Sequence, residues 1–240
     1  MAQAPPRPPQ EGARLTERVE VRRVRWPVLV EARRAADEPR CLHPSPADFD
    51  VTEGGRAVQV ASVDREEGET LYAVVVDVSP SMSARLESIR RALRSFVASL
   101  AERDRVMLLT FEKELMIRAL PTRDATVLSA AVDGLVEGGL STAVNDSLWD
   151  LFDFLEKRTE RRAVVLVTDG EDTSSDRHGP GDIVARAALF RDLRVFVLLT
   201  SGVENLRSTA PLRWLALTTA GHFELVNSDH GLPGAIEAIR

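Results

Sequence analysis

The 240-residue chain predicts an α/β fold: a doubly wound, mostly parallel sheet with helices on both faces, one antiparallel edge strand, and a small β appendage ahead of it. Three observations carry this reading. Residues 71–76, 106–111, 163–168 and 195–200 are near-continuous apolar runs of strand length, as expected of parallel strands buried on both faces. Between and beyond them, apolar residues recur at helical spacing: Leu86, Ile89, Leu93, Phe96, Val97 and Leu100 in one segment, Leu148, Leu151, Phe152 and Leu155 in another. Residues 114–120 follow the second run after a turn too short for a crossover, so they pair back antiparallel at one edge.

In chain order, residues 1–16 are assigned to a proline-rich, polar tail whose composition favours extended, solvated chain. Ala2-Gln3-Ala4 matches the small-residue end of a secretory cleavage site without its charged and apolar regions. Export, with Met1 an added start, is therefore one expectation and an ordinary flexible tail the other. Residues 17–66 are assigned to the β appendage. Val19 and Val21, then Trp26, Val28 and Val30, alternate with a change of phase that predicts a bulge near Arg25, and Pro27 predicts an edge position. Two short runs, 49–53 and 56–60, flank Gly54-Gly55, a pair suited to the positive φ angles of a tight hairpin. Residues 67–240 are assigned to the main domain. Arg85, Arg90, Arg91 and Arg94 fall on the wet face of its first helix, and a short last helix carries Leu232, Ala235, Ile236 and Ile239.

Composition removes several classes of function. A net charge of −6 with 28% charged residues gives no electrostatic footprint for nucleic acid or an anionic membrane surface. No apolar run reaches about 18 residues, so no membrane-spanning helix is expected. Cys41 is the only cysteine, which excludes an internal disulfide, a thiolate zinc cluster and a C-x-x-C redox pair. His43, His178, His222 and His230 show no metal-ligand spacing, and no G-x-S-x-G elbow, H-E-x-x-H helix or D-x-D phosphatase pattern is present. No enzyme is expected. Arginine far outnumbers lysine, which occurs only at Lys113 and Lys157; with abundant alanine this points to a GC-rich, bacterial genome. The arginines between residues 14 and 34 interleave with valines and read as the wet face of a strand rather than a basic docking strip.

The chemistry gathers at strand ends. Asp77 closes the first apolar run, Ser79 and Ser81 follow at alternate positions, and Asp169 ends the run that starts at residue 163. In open α/β sheets ligands sit beyond the carboxyl ends of the strands where the strand order reverses, which here falls between those two runs. Carboxylate and hydroxyl oxygens are hard ligands, suited to magnesium, manganese or calcium rather than zinc or copper. Magnesium is the cation this set favours, and a few protein oxygens with waters leave a coordination position for a ligand.

Asp77-Val78-Ser79-Pro80-Ser81-Met82, Gly138-Gly139 with Thr142, and Thr168-Asp169-Gly170 together resemble the three parts of a von Willebrand factor type A domain, over roughly residues 71–239. The resemblance implies a Rossmann-like fold and a metal-ion-dependent adhesion site formed by Asp77, Ser79, Ser81, Thr142 and Asp169. Two positions depart from the family pattern. Pro80 stands where glycine is frequent, and Ser141 intervenes between the glycines and Thr142; Thr142 is chosen because Ala143 and Asp146 follow in register. Asp48-Phe49-Asp50-Val51-Thr52-Glu53-Gly54-Gly55 is similar to the β leader of a bacterial subgroup in which further strands usually follow the last helix, so a chain that stops at Arg240 is expected to be a fragment.

The expected function is binding: the cation accepts a carboxylate oxygen from an Asp or Glu of a partner protein. A scaffold role, in which the metal only orders three loops inside a larger assembly, is the alternative. A metal-assisted hydrolase is the third reading, with Asp146 or Glu171 as the base. The acidic stretch Glu171-Asp172-Thr173-Ser174-Ser175-Asp176 is expected as a solvated loop beside the metal, placed to shape partner choice.

Overall fold

Successive side chains of a strand point to opposite faces, so a sheet covered on both sides needs apolar residues at every position. The computed structural model shows that arrangement; it describes residue 28 and residues 44–64, 68–200, 209–226, 231–237 and 239. The predicted tail, the arginine-rich segment with its bulge near Arg25, and Cys41, His43 and His230 lie outside these residues.

A two-stranded antiparallel sheet, β1 (Val51–Glu53) and β2 (Arg56–Val58), comes first. Its turn has φ of 56° at Gly54 and 79° at Gly55, the left-handed pair that only glycine adopts at little cost. The main sheet has six strands: β3 (Thr70–Asp77), β4 (Arg105–Phe111), β5 (Leu115–Thr122), β6 (Arg161–Thr168), β7 (Leu193–Leu199) and β8 (Phe223–Leu225). Their spatial order is β5-β4-β3-β6-β7-β8, and every pairing is parallel except β4 with β5. The predicted hairpin is therefore present at the edge. Two register shifts between β4 and β5 bend that edge, which carries exposed Met116, Ile117 and Leu120, and such bulges oppose pairing with another sheet.

Among the described residues six α-helices cover the sheet: α1 (Leu86–Ser99), α2 (Ala125–Asp133), α3 (Val144–Glu156), α4 (Pro180–Ala187), α5 (Ala210–Thr218) and α6 (Gly231–Glu237). Val74, Val76, Leu108, Val165 and Val167 pack with α1, α2 and α6 on one face. Ala73, Val75, Leu109, Val164 and Leu166 pack with α3, α4 and α5 on the other. The predicted stripe residues of α1, α3 and α6 are buried, with Val97 and Leu100 partly so. The wet face of α1 is less wet than its charge pattern implied. Arg90 bonds Glu87 at 2.8 Å and the Leu135 carbonyl, and Arg94 reaches Asp133 at 2.6 Å, so two arginines tie α1 to the end of α2.

Four elements escaped the periodicity reading. Asp124 caps α2 by accepting the Thr126 and Val127 N–H groups at 2.8 and 3.2 Å, a signal present in the sequence. Pro180 opens α4, where the Asp182 carboxylate takes the Gly179 N–H at 2.8 Å. α5 and the three-residue β8 are too short to show a clear period.

Candidate functional site

The chain runs outward from β3 through β4 to β5, then crosses back to β6 on the other side of β3. The loops after β3 and β6 therefore part from each other at the reversal point, and a crevice opens between them. Asp77, the last residue of β3, lies in its floor at 0% exposure.

Two local bonds hold the Asp77 carboxylate. Oδ1 accepts the Ser79 N–H at 2.9 Å, and Oδ2 accepts the Thr168 hydroxyl at 2.7 Å. The Thr168 Oγ1 in turn accepts the Gly170 N–H at 3.0 Å, so the third loop is locked to the first through one side chain. Gly170 has φ of 84°, and a Cβ there would meet Leu199 Cδ1 at 2.8 Å and crowd Thr209. Thr168 thus orients Asp77, Asp169 holds the Glu171 N–H, and Gly170 makes the turn. Thr168 was in the motif, but its role as an orienting donor appears only in the structure.

Ser79 leads into a 3₁₀ turn, Pro80–Arg85, with Pro80 at its first position, where no backbone N–H is needed. The departure at Pro80 therefore fits the loop. Met82 donates its N–H to the Ser79 carbonyl at 2.9 Å and buries its side chain beneath the loop. Ser79 Oγ and Ser81 Oγ stand 3.0 Å apart. This is a hydrogen bond between the two hydroxyls, and its length is also compatible with the roughly 3.0 Å between ligands on adjacent vertices of an octahedron with bonds of about 2.1 Å.

The second loop is hung on the first. Gly138 donates its N–H to the Val78 carbonyl at 2.7 Å, Val78 donates to Phe111 at 3.0 Å, and Ala143 donates to Glu112 at 2.6 Å. Glu112, which the sequence reading passed over, lies against the Gly138-Gly139 backbone. A Cβ at Gly138 would sit 2.9 Å from Glu112 Oε2 and 3.1 Å from Val78 Cγ2, and one at Gly139 would overlap Glu112 Oε2. The glycines serve close backbone approach. Because the atoms met are the end of a flexible side chain, Gly139→Ala is expected to turn the Glu112 carboxylate aside at a cost of less than about 1 kcal/mol; a thermal melt lowered as by a core clash would contradict this.

Thr142, 5% exposed, is clamped through its backbone. Its N–H donates to Thr173 Oγ1 at 2.9 Å, and its carbonyl accepts the Thr173 and Ser174 N–H groups at 2.8 and 3.0 Å. Ser141 beside it is half-buried. Asp169 is half-buried, and its Oδ1 accepts the Glu171 N–H at 3.0 Å. The loop after Asp169 is mostly exposed, as expected of a solvated loop, and it is also anchored to α3. Asp172 Oδ2 accepts the Asn145 N–H and side-chain amide at 2.9 and 2.7 Å. Asp146 accepts the backbone N–H groups of Asp176, Arg177 and His178 at 3.1, 3.3 and 2.9 Å, and the His178 ring stacks on Trp149 with centroids 3.9 Å apart. Such bonds favour an ionised acceptor and a fixed loop.

The two buried acids of the site region are held in opposite ways. Burial pushes the Asp77 carboxyl above its ordinary range, the bonds from Ser79 and Thr168 oppose the rise, and the charge of Asp169 adds to it. Burial also acts upward on Asp146, but the three N–H donors and Arg177 outweigh it and hold that carboxyl below its usual range. Among the described residues neither Asp77 nor Asp169 forms an ion pair. The donor set of two carboxylates and three hydroxyls fits a hard divalent cation. Asp77, Ser79, Ser81, Thr142 and Asp169 would hold it. Among the described residues no three His, Cys, Asp or Glu side chains form a further metal-ligating group.

Residues 72–171, which contain all three loops, match the model of the von Willebrand factor type A domain. Residues 72–171 are therefore similar to a von Willebrand factor type A domain. A plant relative, the E3 ubiquitin-protein ligase WAV3 of Arabidopsis thaliana, is 34% identical over 114 residues, which cover 44% of this chain and 15% of that protein. The chain thus spans about 15% of the length of the curated relative it matches. Among solved structures, the vWF domain of the type V pili tip protein Mfa5 from Porphyromonas gingivalis superposes with a TM-score of 0.60 at 12% identity, covering 73% of this chain and 95% of that one. A von Willebrand factor type A protein from Catenulispora acidiphila gives a TM-score of 0.58 at 14% identity, covering 70% and 41%. These structural likenesses establish the fold.

Proposed function

We propose that this von Willebrand factor type A domain binds a partner protein through a divalent cation, magnesium with manganese or calcium as substitutes, held by Asp77, Ser79, Ser81, Thr142 and Asp169. The observation that supports this most strongly is Asp77: a fully buried carboxylate beside the Asp169 charge, with no ion-pair partner among the described residues. A buried charge is costly unless paired or coordinated, and a cation at this point relieves both carboxylates. When bound, the cation supplies a Lewis-acidic position that accepts a carboxylate oxygen from an Asp or Glu of the partner. The chain's own residues do the rest: Ser79, Thr168 and the Gly138 loop fix the donors, so little reorganisation accompanies binding.

The test is a pull-down from the source lysate in magnesium and in chelator, with the parent chain and Asp77→Ala. Capture of the same partner by the parent in magnesium, absent in chelator and with the variant, is the expected result. Undiminished capture in chelator removes the metal-bridge reading. The scaffold alternative is favoured by how tightly the three loops are tied together, and it predicts a large metal-dependent rise in melting temperature with no carboxylate-peptide binding. For a hydrolase, Asp146 is an unsuitable base because its oxygens are engaged by three backbone donors. Metal-dependent turnover of a phosphoester would overturn that judgement.

A further inference from the structure

Thr200 follows the last residue of β7 and closes an apolar run. It is 2% exposed, so its hydroxyl has to be matched within the protein. Two acceptors lie 3.2 Å from its Oγ1: the Met82 sulfur beneath the first loop and the Thr168 carbonyl at the root of the third. That carbonyl already takes the Thr200 N–H at 2.9 Å, and the one hydroxyl proton is shared with the thioether. The contact to sulfur closes a ring of buried groups. The Ser79 N–H and the Thr168 hydroxyl hold the two oxygens of Asp77, the Thr168 carbonyl holds Thr200, Thr200 holds Met82, and the Met82 N–H returns to the Ser79 carbonyl at 2.9 Å. The ring joins the ends of β3, β6 and β7, which are neighbours in the sheet, and Ser81 lies inside the turn that its last bond closes.

We propose that Thr200 and Met82 are positioning residues of the cation site: their hydroxyl–thioether contact pins the underside of the first loop and so fixes the Ser79 and Ser81 hydroxyls against Asp77. The inference rests on the cation reading and adds to it control of cation affinity by two side chains that do not touch the cation. A methionine is unbranched, with three rotatable bonds, and by itself is an adaptable filler that does not hold the turn above it to one geometry. Tied to a β-branched threonine, whose own χ1 is restricted, it has one favoured place. Groups that orient the ligands of a metal typically change its affinity about 10–100-fold when removed, because the ligands must then be ordered at the moment of binding. If Thr200 served the Thr168 carbonyl alone, its loss would change the stability of the metal-free fold and leave magnesium affinity as it was.

The experiment compares the full chain with Thr200→Val, Thr200→Ser, Met82→Leu and the double variant Thr200→Val/Met82→Leu. Magnesium affinity is measured by calorimetry, and melting and hydrogen exchange of the Met82 amide are measured in chelator. Thr200→Val and Met82→Leu, both close to the parent in volume, are each expected to weaken magnesium binding about tenfold. The double variant is expected to lose no more than either single one, since both remove the same contact. Thr200→Ser, which keeps the hydroxyl, is expected to stay within about twofold of the parent. In chelator the Met82 amide is expected to exchange faster in Thr200→Val and Met82→Leu, ahead of the sheet amides. Parent-like magnesium affinity in Thr200→Val or Met82→Leu, losses that add in the double variant, or a Thr200→Ser as weak as Thr200→Val overturns the positioning role and leaves the cation reading standing. No magnesium binding by the parent overturns both.

Discussion

Asp77→Asn is expected to stabilise the protein in chelator and to abolish the stabilisation that magnesium brings to the parent chain. The sign follows from the direction of the Asp77 shift. Burial, with the Asp169 charge, raises the folded-state pKa above the ordinary value of 3.8, so the folded state favours the neutral carboxyl. Stability from that preference is fully present below 3.8 and is lost as pH rises through the folded pKa; at neutral pH the ionised group weighs against the metal-free fold. Asparagine removes the charge and keeps the shape. Its carbonyl can accept the Ser79 N–H, and its amide can donate to Thr168 Oγ1. If the proposed cation site is filled in the parent, magnesium at about a hundred times its dissociation constant would add about 2.7 kcal/mol. For a domain of this size that is roughly 5–10 °C in melting temperature. Melts of both proteins in magnesium and in chelator between pH 5 and 8 measure the effect. A magnesium shift that survives in Asp77→Asn, or a variant less stable than the parent in chelator, contradicts the assignment.

Asp146→Ala carries the second large effect, and it works through backbone rather than metal. Asp146 is only 4% exposed, and its loss leaves three N–H groups of residues 176–178 without their acceptor. An unpaired buried donor costs about 1–3 kcal/mol, and partial access of water to this loop places the total at roughly 3 kcal/mol. Hydrogen exchange at residues 176–178 is expected to accelerate ahead of the sheet amides, because the loop opens locally. The pH dependence is opposite to that of Asp77. The folded pKa of Asp146 lies below 3.8, so its contribution is present above 3.8 and fades as pH falls through the folded value. The gap in stability between parent and Asp146→Ala therefore narrows in acid. A gap that is constant from pH 7 to pH 3, or unaltered exchange at residues 176–178, argues against this role.

Both residues were visible in the sequence, but for different reasons. Asp77 and Asp169 stand at the ends of apolar runs, where the α/β architecture puts ligands whatever the details of packing. Asp146 was noticed as a register marker for Thr142 and as a possible base. A helix-start aspartate reads the same whether it faces solvent or caps a loop thirty residues on, and contacts at that separation leave no local signal. Glu112 was missed for the same reason: its importance comes from the two glycines that pass over it, twenty-six and twenty-seven residues later. The short helices α4 and α5 and the strand β8 were missed because fewer than three turns, or three residues, do not establish a period.

The sequence by itself determined the layered fold. Continuous apolar strands bury on both faces, and helical stripes cover them, because period and polarity are properties of the chain taken locally. It also determined which oxygens stand at the strand ends. Only the tertiary structure decided how those oxygens are oriented: the Thr168 hydroxyl on Asp77, the Gly138 loop on Val78, and the acidic loop drawn onto Asp146 are contacts between segments distant in the chain. Side-chain direction and desolvation depend on what the rest of the chain packs against them, which is why Asp77 and Asp146, alike as aspartates beside one site, are shifted in opposite directions.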